Sequence, residues 1–453
     1  MDIRRSVAIT TTVSQVAATL RFEDISSEVI AKAKVLIADT LSVAWAGRDA
    51  AGSAEVAKLA AADGGAAEAT VWATGKRLPI TSAAFVNTFH AAALDYDSLN
   101  GSTHADLVVL PAAFAVAERQ NASGRDFLTA YILGAELLVR LGRATEGASK
   151  GWSATSVYGG FAAAIASARL LGLDAIGIGN ALGLCLGQAA GSQQANVEQV
   201  LLKRLQPALA TRAGVFSALL AKVGISGPTE AFEGRFGFRN LYLPFDAEKL
   251  LDGFGETFIF NETGLKKYPV CACSHAPMEA LLQLVDQHDL TPDQIDTVEA
   301  TISPFMARLV DNPDTAGADP QVLAQFSLRY ALASILQRRR LGLEEITPEA
   351  VHEPEIARLS QRVTILVDDE RTGSYGPATV SLRLKDGRTL VQTIDTLPGS
   401  HDMPLSQAQI DRKLQDCAGH GSRRLNLADL RSIIDKLDRP DAVLDRNFRV
   451  AFS

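Results

Sequence analysis

From about residue 29 to residue 225 the chain reads as one helix after another, and no other feature constrains its fold as strongly. Ile30, Ala33, Ile37, Leu41 and Ala44 recur at the helical period, and Gly47 follows as a stop. A second helix is predicted over 53–62, a short extended piece over 69–73, and a further helix over 81–94. Pro111 suits a first helical turn, and that helix stops at Asn121-Ala-Ser-Gly124. Ser123 and Asp126 have capping-box spacing and open a helix to Gly142. Residues 157–171 end at Gly172, Asp174 opens the next helix, and Pro207 starts another that closes at Gly224. Alanine and glycine dominate 159–191, so these helices can approach closely and form a buried core.

The texture changes after residue 255. Ile295-Asp-Thr-Val-Glu-Ala-Thr-Ile-Ser303 alternates like a strand, and Arg362–Asp368 reads as a second. Residues 378–396 form a hairpin around Asp386-Gly387, and 320–338 reads as a helix capped by Asp319. From about 404 the chain is helical again, with Asn426 and Asp429 as a late capping box. At 453 residues the chain is too long for one core. The expected class is mainly α: a large all-helical domain over 1–265, completed by 399–453, with a smaller α+β lid domain inserted over 266–398. The cleft between two such domains is a favoured place for a small-molecule site.

Composition removes several function classes. A formal charge of −8 without a basic stripe argues against nucleic acid and anionic membranes as partners. It also requires any site for an anionic substrate to gather Lys and Arg locally. Four cysteines cannot form a disulfide scaffold, and a reducing cytoplasm is expected. The N-terminal stretch lacks a signal-peptide core, and no run of apolar residues is long enough to span a membrane.

The densest chemistry lies between His90 and Asp106, where two imidazoles and three carboxylates (Asp95, Asp97 and Asp106) interrupt an alanine-rich neighbourhood. These groups fall at the exit of one helix and in the loop before the next, where rigid flanks can hold catalytic side chains. Partly desolvated carboxylates and imidazoles serve as acids and bases near neutral pH. The same residues could equally cap helix ends.

A second concentration, Leu265-Lys-Lys-Tyr-Pro-Val-Cys-Ala-Cys-Ser-His275-Ala-Pro277, sits at the proposed domain junction. Pro277 at a helix start would leave His275 near the positive helix end, where it and the two lysines could receive carboxylates. A solvated lysine pair and a capping histidine are the alternative. Cys271, Cys273 and His275 would share one face of a strand, but their spacing and the lack of a second cluster argue against zinc. Lys203, Arg204 and Arg212 crowd a helix start, where cations are unfavourable unless something anionic compensates. Gly151-Trp-Ser153-Ala-Thr155-Ser-Val-Tyr158-Gly-Gly is a hydroxyl-rich turn that could present backbone N–H groups to an anion or simply cap its helix. No stretch has the spacing of a dinucleotide loop, a P-loop or a nucleophile elbow.

Together these stretches resemble the MmgE/PrpD family, whose members include 2-methylcitrate dehydratase, cis-aconitate decarboxylase and iminodisuccinate epimerase. The resemblance is carried by His90, Leu94-Asp95-Tyr96-Asp97, His104, Leu110-Pro111, Leu133-Gly134-Ala-Glu136, Arg140 and Lys203. It continues through Arg212-Ala-Gly214, Lys266, Tyr268-Pro269, Cys273, His275, Phe326-Ser327-Leu328 and Tyr330-Ala331. It implies a helical domain with an α+β lid, a homodimer, no metal and no cofactor, and a small anionic polycarboxylate as substrate. It places Asp95, His104, Lys203, Lys266 and His275 in catalysis, with Ser153, Thr155, Tyr158, Lys267 and Tyr330 around the substrate. The implied reaction is proton abstraction next to a carboxylate: a lyase of the dehydratase type, with an epimerase, isomerase or decarboxylase as alternatives. A polycarboxylate-binding protein without activity is a reading from another class. Two departures stand out: Ser98 replaces a further aspartate, and Ser153 occupies the histidine position of the family's Gly-Trp-His-x-Thr pattern.

Overall fold

A computed structural model describes residues 8–145, 151–311, 319–421 and 423–444. Residues 1–7, part of the stretch read for a leader, lie outside that description. The first half is helical: α1 (Ile9–Thr19), α2 (Ser27–Gly47), α3 (Ser53–Ala62), α4 (Ile80–Ala93) and α5 (Asp106–Gln120). Then come α6 (Gly124–Ala144), α7 (Ala154–Leu170), α8 (Ala175–Leu186), the short α9 (Gln194–Val197) and α10 (Leu202–Lys222). The caps read from the sequence at Ser123 and Asp174 are in place, and Ser26 adds one that was not read. Ser26, Ser123 and Asp174 accept hydrogen bonds from the backbone N–H groups of Val29, Asp126 and Gly177. Losing one such cap costs about 1 kcal/mol.

Small residues set the packing. A Cβ on Gly134 of α6 would lie 2.8 Å from the Ala162 carbonyl of α7. One on Gly214 of α10 would lie 2.4 Å from the Gly160 carbonyl. α6, α7 and α10 therefore touch backbone to backbone, and α7 is buried along nearly all its length. Two prolines depart from expectation. Pro111 and Pro207 lie inside α5 and α10, which begin at Asp106 and Leu202. Each removes the N–H that would bond the carbonyl four residues earlier, that of Leu107 or Lys203. Lys203 and Arg204 consequently belong to the first turn of α10 rather than to the loop before it.

Between these helices run two-residue strands: β1 (Ala69–Thr70) with β2 (Arg77–Leu78), and β3 (Ser98–Leu99) with β4 (Gly264–Leu265), both pairs antiparallel. Beyond α11 (Phe238–Leu241), α12 (Ala247–Leu251) and α13 (His275–Gln287) the main sheet begins. It comprises β5 (Ile295–Ile302), β6 (Val363–Val367), β7 (Ala378–Leu384) and β8 (Thr389–Ile394) in the order β6-β5-β7-β8. Only β5 and β6 are parallel; the helices α14 (Pro304–Val310), α15 (Pro320–Phe326), α16 (Leu328–Arg338), α17 (Pro348–Val351) and α18 (Pro354–Ser360) make the crossover. β7 alternates buried and half-buried residues, and α13 packs on β7 and β8. The single helix expected over 320–338 is two, because Ser327 is extended and its hydroxyl caps α16 at the Tyr330 N–H. Cys271 to His275 is not a strand: Ala272–Ser274 is a 3-10 turn running into α13.

One large apolar core joins the helices of the first half. A second is built on the sheet, α13 and α16, and reaches Val43, Ala46, Leu94 and Tyr96. The last helices, α19 (Gln407–Gly419) and α20 (Leu427–Asp435), return to pack on α2. The fold is mainly α. Among the described residues no helix is long and apolar enough to cross a membrane.

Candidate active site

The site starts where α4 ends. Leu94 is the last near-helical residue and Asp95 turns into the left-handed region at φ 49°, a conformation that Asp tolerates better than most residues. The chain then enters β3, and the β3–β4 register pairs Ser98 with Leu265 and Leu99 with Gly264. Extending that register by one residue sets Asp97 across from Lys266. A pairing between segments some 170 residues apart in sequence thus delivers a buried ammonium to two buried carboxylates.

Lys266 Nζ lies 2.9 Å from Asp95 Oδ2 and 3.4 Å from Asp97 Oδ1, and donates to the Asp95 carbonyl at 2.9 Å. Lys203, from the first turn of α10, donates to Asp95 Oδ1 and stands 5.0 Å over the Phe326 ring. Asp97 Oδ2 is 2.6 Å from His104 Nδ1, which also faces the Ser98 carbonyl at 3.1 Å. The His104 backbone N–H donates to Thr155 Oγ1, tying this loop to the start of α7.

Burial alone would push Asp95 and Asp97 up, but their cationic neighbours prevail and hold both carboxyls below the usual range. Lys203 and Lys266 act on Asp95, and His104 and Lys266 on Asp97. Lys266 moves the other way: burial disfavours its charge, and the two aspartates more than restore it. Behind the pair, Asp106 is raised to about 6 by burial, although Ser98 and Tyr131 hydroxyls donate to it.

Asp95, Asp97, His104, Lys203 and Lys266 line one cavity of about 520 Å³. Ser153 and Thr155, at the start of α7, form another part of its wall. Ser153 is the N-cap residue, yet its hydroxyl pairs with Ser156 Oγ at 3.1 Å instead of capping the helix. The positive end of α7 therefore opens on the same cavity as Lys203.

Four residues expected in the site do not line this cavity. Lys267, where the chain bends after β4, does not share the partners of its neighbour Lys266 and pairs with Glu279 Oε2 at 2.6 Å. Tyr330 donates to the Glu345 carbonyl inside the second core, because the break at Ser327 turns the start of α16 inward. His275 is the first residue of α13 rather than a residue before it. Its Nε2 faces the Val270 carbonyl at 3.2 Å, its ring meets Tyr268 edge-on, and burial and then Lys266 lower its pKa to about 3. Tyr158 stands one layer back, its hydroxyl 2.7 Å from that of Thr145, which does line the cavity.

Of the cations at the start of α10, Lys203 meets the expected anion in Asp95, whereas Arg204 donates to neutral acceptors, the Ala51 carbonyl at 2.9 Å and Gln325 Oε1 at 3.3 Å. Arg212 is exposed. Sequence reasoning counted Asp97 among the clustered carboxylates but gave it no role in the site, a role that its two-residue alternation with Asp95 could have flagged. It also left out Tyr375 and Arg308, which reach the cavity from a loop and a short helix with no motif. Tyr375 donates to the Gly101 carbonyl at 3.0 Å, bridging the sheet's connecting loop to the turn after β3. Among the described residues no group of three or more His, Cys, Asp or Glu is placed to hold a metal ion.

Known proteins match this chain over most of its length. The cis-aconitate decarboxylase of Aspergillus terreus (strain NIH 2624 / FGSC A1156) is 26% identical over 97% of this chain and 95% of its own length. The cis-aconitate decarboxylases of Mus musculus and Homo sapiens are 25% and 24% identical, each over 92% of this chain and 88% of their own. The family model for the MmgE/PrpD N-terminal domain matches residues 11–249, and that for the MmgE/PrpD C-terminal domain matches residues 268–436. Over nearly its whole length, the chain belongs to the MmgE/PrpD family.

Proposed function

We propose that the protein is a lyase acting on a small di- or tricarboxylic acid by moving a proton at a carbon next to a carboxylate. The observation that carries this reading is the Asp97–His104 pair facing the same cavity as Lys203 and Lys266. His104 Nδ1 sits between two acceptors, Asp97 Oδ2 and the Ser98 carbonyl, so it keeps the proton. Nε2 is then the nitrogen that exchanges a proton with substrate. Asp95 and Asp97 neutralise Lys203 and Lys266 charge for charge, so a polyanion needs further donors. Ser153, Thr155 and the positive end of α7 supply them from the part of the wall next to His104. Charge that develops on the carboxylate as the C–H bond breaks is met by ammonium groups already in place.

Loss of a β-hydroxide from that carbanion makes the enzyme a dehydratase, the first reading. In the second reading a proton is delivered to the carbon chain as a carboxylate leaves as CO2, a reading favoured by relatives whose names are cis-aconitate decarboxylase. Residues 266–398 act in this scheme as a lid over a helical body made of 1–265 and 399–453. The test is NMR in D2O with a panel of hydroxy-, amino- and unsaturated polycarboxylates. Vinyl protons with water loss establish a dehydratase, CO2 release a decarboxylase, and deuterium incorporation alone an epimerase. Binding without exchange or turnover across the panel rejects the lyase.

A further inference from the structure

The two site aspartates flank Tyr96, and the backbone at that point has no ladder to bond to. Asp95 is left-handed, and the first β3 pair begins only at Ser98. A buried carbonyl in such a segment needs a donor from elsewhere. The Asp95 carbonyl finds Lys266, as described. The Tyr96 carbonyl finds a second lysine, Lys413 of α19, whose Nζ donates to it at 2.7 Å. Lys266 lines the cavity and Lys413 does not, so one ammonium grips the turn from the cavity and the other from behind.

Lys413 is itself fixed. Its Nζ is 2.7 Å from Asp39 Oδ1 of α2, with side chains 2% and 0% exposed, and stands 4.3 Å over the Tyr96 ring. Tyr96 is held at its far end by the Lys267 carbonyl, 3.3 Å from its hydroxyl. Neither Lys413 nor Asp39 lines the cavity. A fully desolvated ion pair is a poor way to gain stability, since well-packed apolar residues do as well or better. A directional role explains its presence better: a rigid donor at a point where no N–H is available. The charged environment agrees, because Asp39, Asp97 and Asp106 are close enough to repel one another and Lys413 offsets this group from the rear.

We propose that Lys413, fixed by Asp39, is a positioning residue that holds the Asp95–Asp97 turn so that both carboxylates meet Lys266 and His104. The helix that follows the lid thereby sets the geometry of a site at the far end of the sequence. The proposal rests on the acid–base reading of that turn, and one arm of its test does not.

Lys413→Met alone leaves Asp39 buried without a partner and can cost the fold. Asp39→Leu/Lys413→Met is therefore the working variant, with the ion pair replaced by apolar groups of similar volume. In this double variant, amide hydrogen exchange of the peptide covering residues 94–99 should rise at least tenfold, while a peptide within α7 keeps its wild-type rate. With the substrate that the panel identifies, kcat should fall 10- to 100-fold while KM moves less than threefold. Citrate titrated calorimetrically should retain wild-type stoichiometry, showing that every molecule still has a site. Wild-type exchange at 94–99 overturns the proposal whether or not a substrate is found. A fall in kcat matched by an equal fall in citrate stoichiometry makes Lys413 a purely structural residue and also overturns it. A wild type inactive on the whole panel, with the exchange result as expected, removes the enzymatic reading and leaves the positioning role standing.

Discussion

His104 and His275 both belong to the stretches that the sequence singled out, and the fold treats them oppositely. His104 keeps a quarter of its side chain accessible at the cavity and has a carboxylate 2.6 Å from Nδ1. His275 has none of its surface exposed, points Nε2 at a carbonyl, and is kept neutral by burial and by Lys266. Close sequence association with a lysine that enters the site therefore does not give a histidine access to it. Access comes from which side of a turn the ring leaves, and His275 leaves on the side of the second core.

The comparison breaks most easily at its larger end. His104→Gln should lower turnover by about two to four orders of magnitude, the range for removing a general acid–base group. His275→Asn should keep turnover within about tenfold while lowering the unfolding free energy by about 1–3 kcal/mol, the cost of disturbing a buried hydrogen bond. Steady-state kinetics beside a urea titration reads both. Equal losses of turnover in the two variants would return His275 to the chemistry.

The adjacent lysines sharpen the same contrast. Lys266→Met leaves Asp95 and Asp97 short of a buried partner and should destabilise the protein by about 3–5 kcal/mol while abolishing most activity. Lys267→Met removes a mostly buried pair with Glu279, which keeps the Tyr268 hydroxyl, and should cost only about 1–2 kcal/mol. Thermal melts of the two variants decide this, and similar shifts would mean that the partners of the two lysines are not what sorts their roles.

A third test uses pH. An unfolded histidine titrates near 6.5, whereas folded His275 and His90 are lowered by burial to about 3 and about 4. Below pH 6.5 the unfolded chain therefore binds protons that the folded chain refuses. This part of the stability is complete above pH 6.5 and declines as pH falls, by about 1.4 kcal/mol per unit for each histidine. Asp106, raised to about 6, acts in the opposite sense between pH 6 and 4, so total stability is a blurred readout. The difference between wild type and His275→Asn is the clean one: its slope between pH 6 and 4 should be about 1.4 kcal/mol per unit. Parallel curves would show that His275 charges in the folded protein.

What the sequence made legible was local. Ser123 and Asp174 announced helix starts, Asp386-Gly387 announced its hairpin, and the small residues of α7 and α8 announced close packing. Each of these signals acts within a few residues or through one missing side chain. Pro111 and Pro207 misled because a proline favours a first turn, whereas here each sits one and a half turns inside its helix. Within the site, Asp95, His104, Lys203 and Lys266 were legible as a group of charges, but their convergence depends on the β3–β4 register. Tyr375 and Lys413 gave no signal, since a loop tyrosine and a helix lysine near the C-terminus look like surface until the chain is folded.

The smallest expected effect bears on another part of the cavity wall, at Ser153. Its hydroxyl pairs with Ser156 and lies beside the positive end of α7, so it can orient a carboxylate or a water. It cannot act as a direct acid near neutral pH, where an imidazole in its place could. Ser153→Ala should therefore change kcat less than about fivefold, because α7's backbone donors and Thr155 remain. Ser153→His adds a second imidazole to the cavity that His104 lines. If turnover of 2-methylcitrate or cis-aconitate needs two imidazoles, the wild type handles both poorly and the histidine variant handles at least one better. Parallel kinetics on those two acids and on the panel's best substrate make the comparison. Efficient turnover of either acid by the wild type would show that one imidazole suffices. Ser153 would then mark no change of substrate, and His104 alone would carry the proton chemistry.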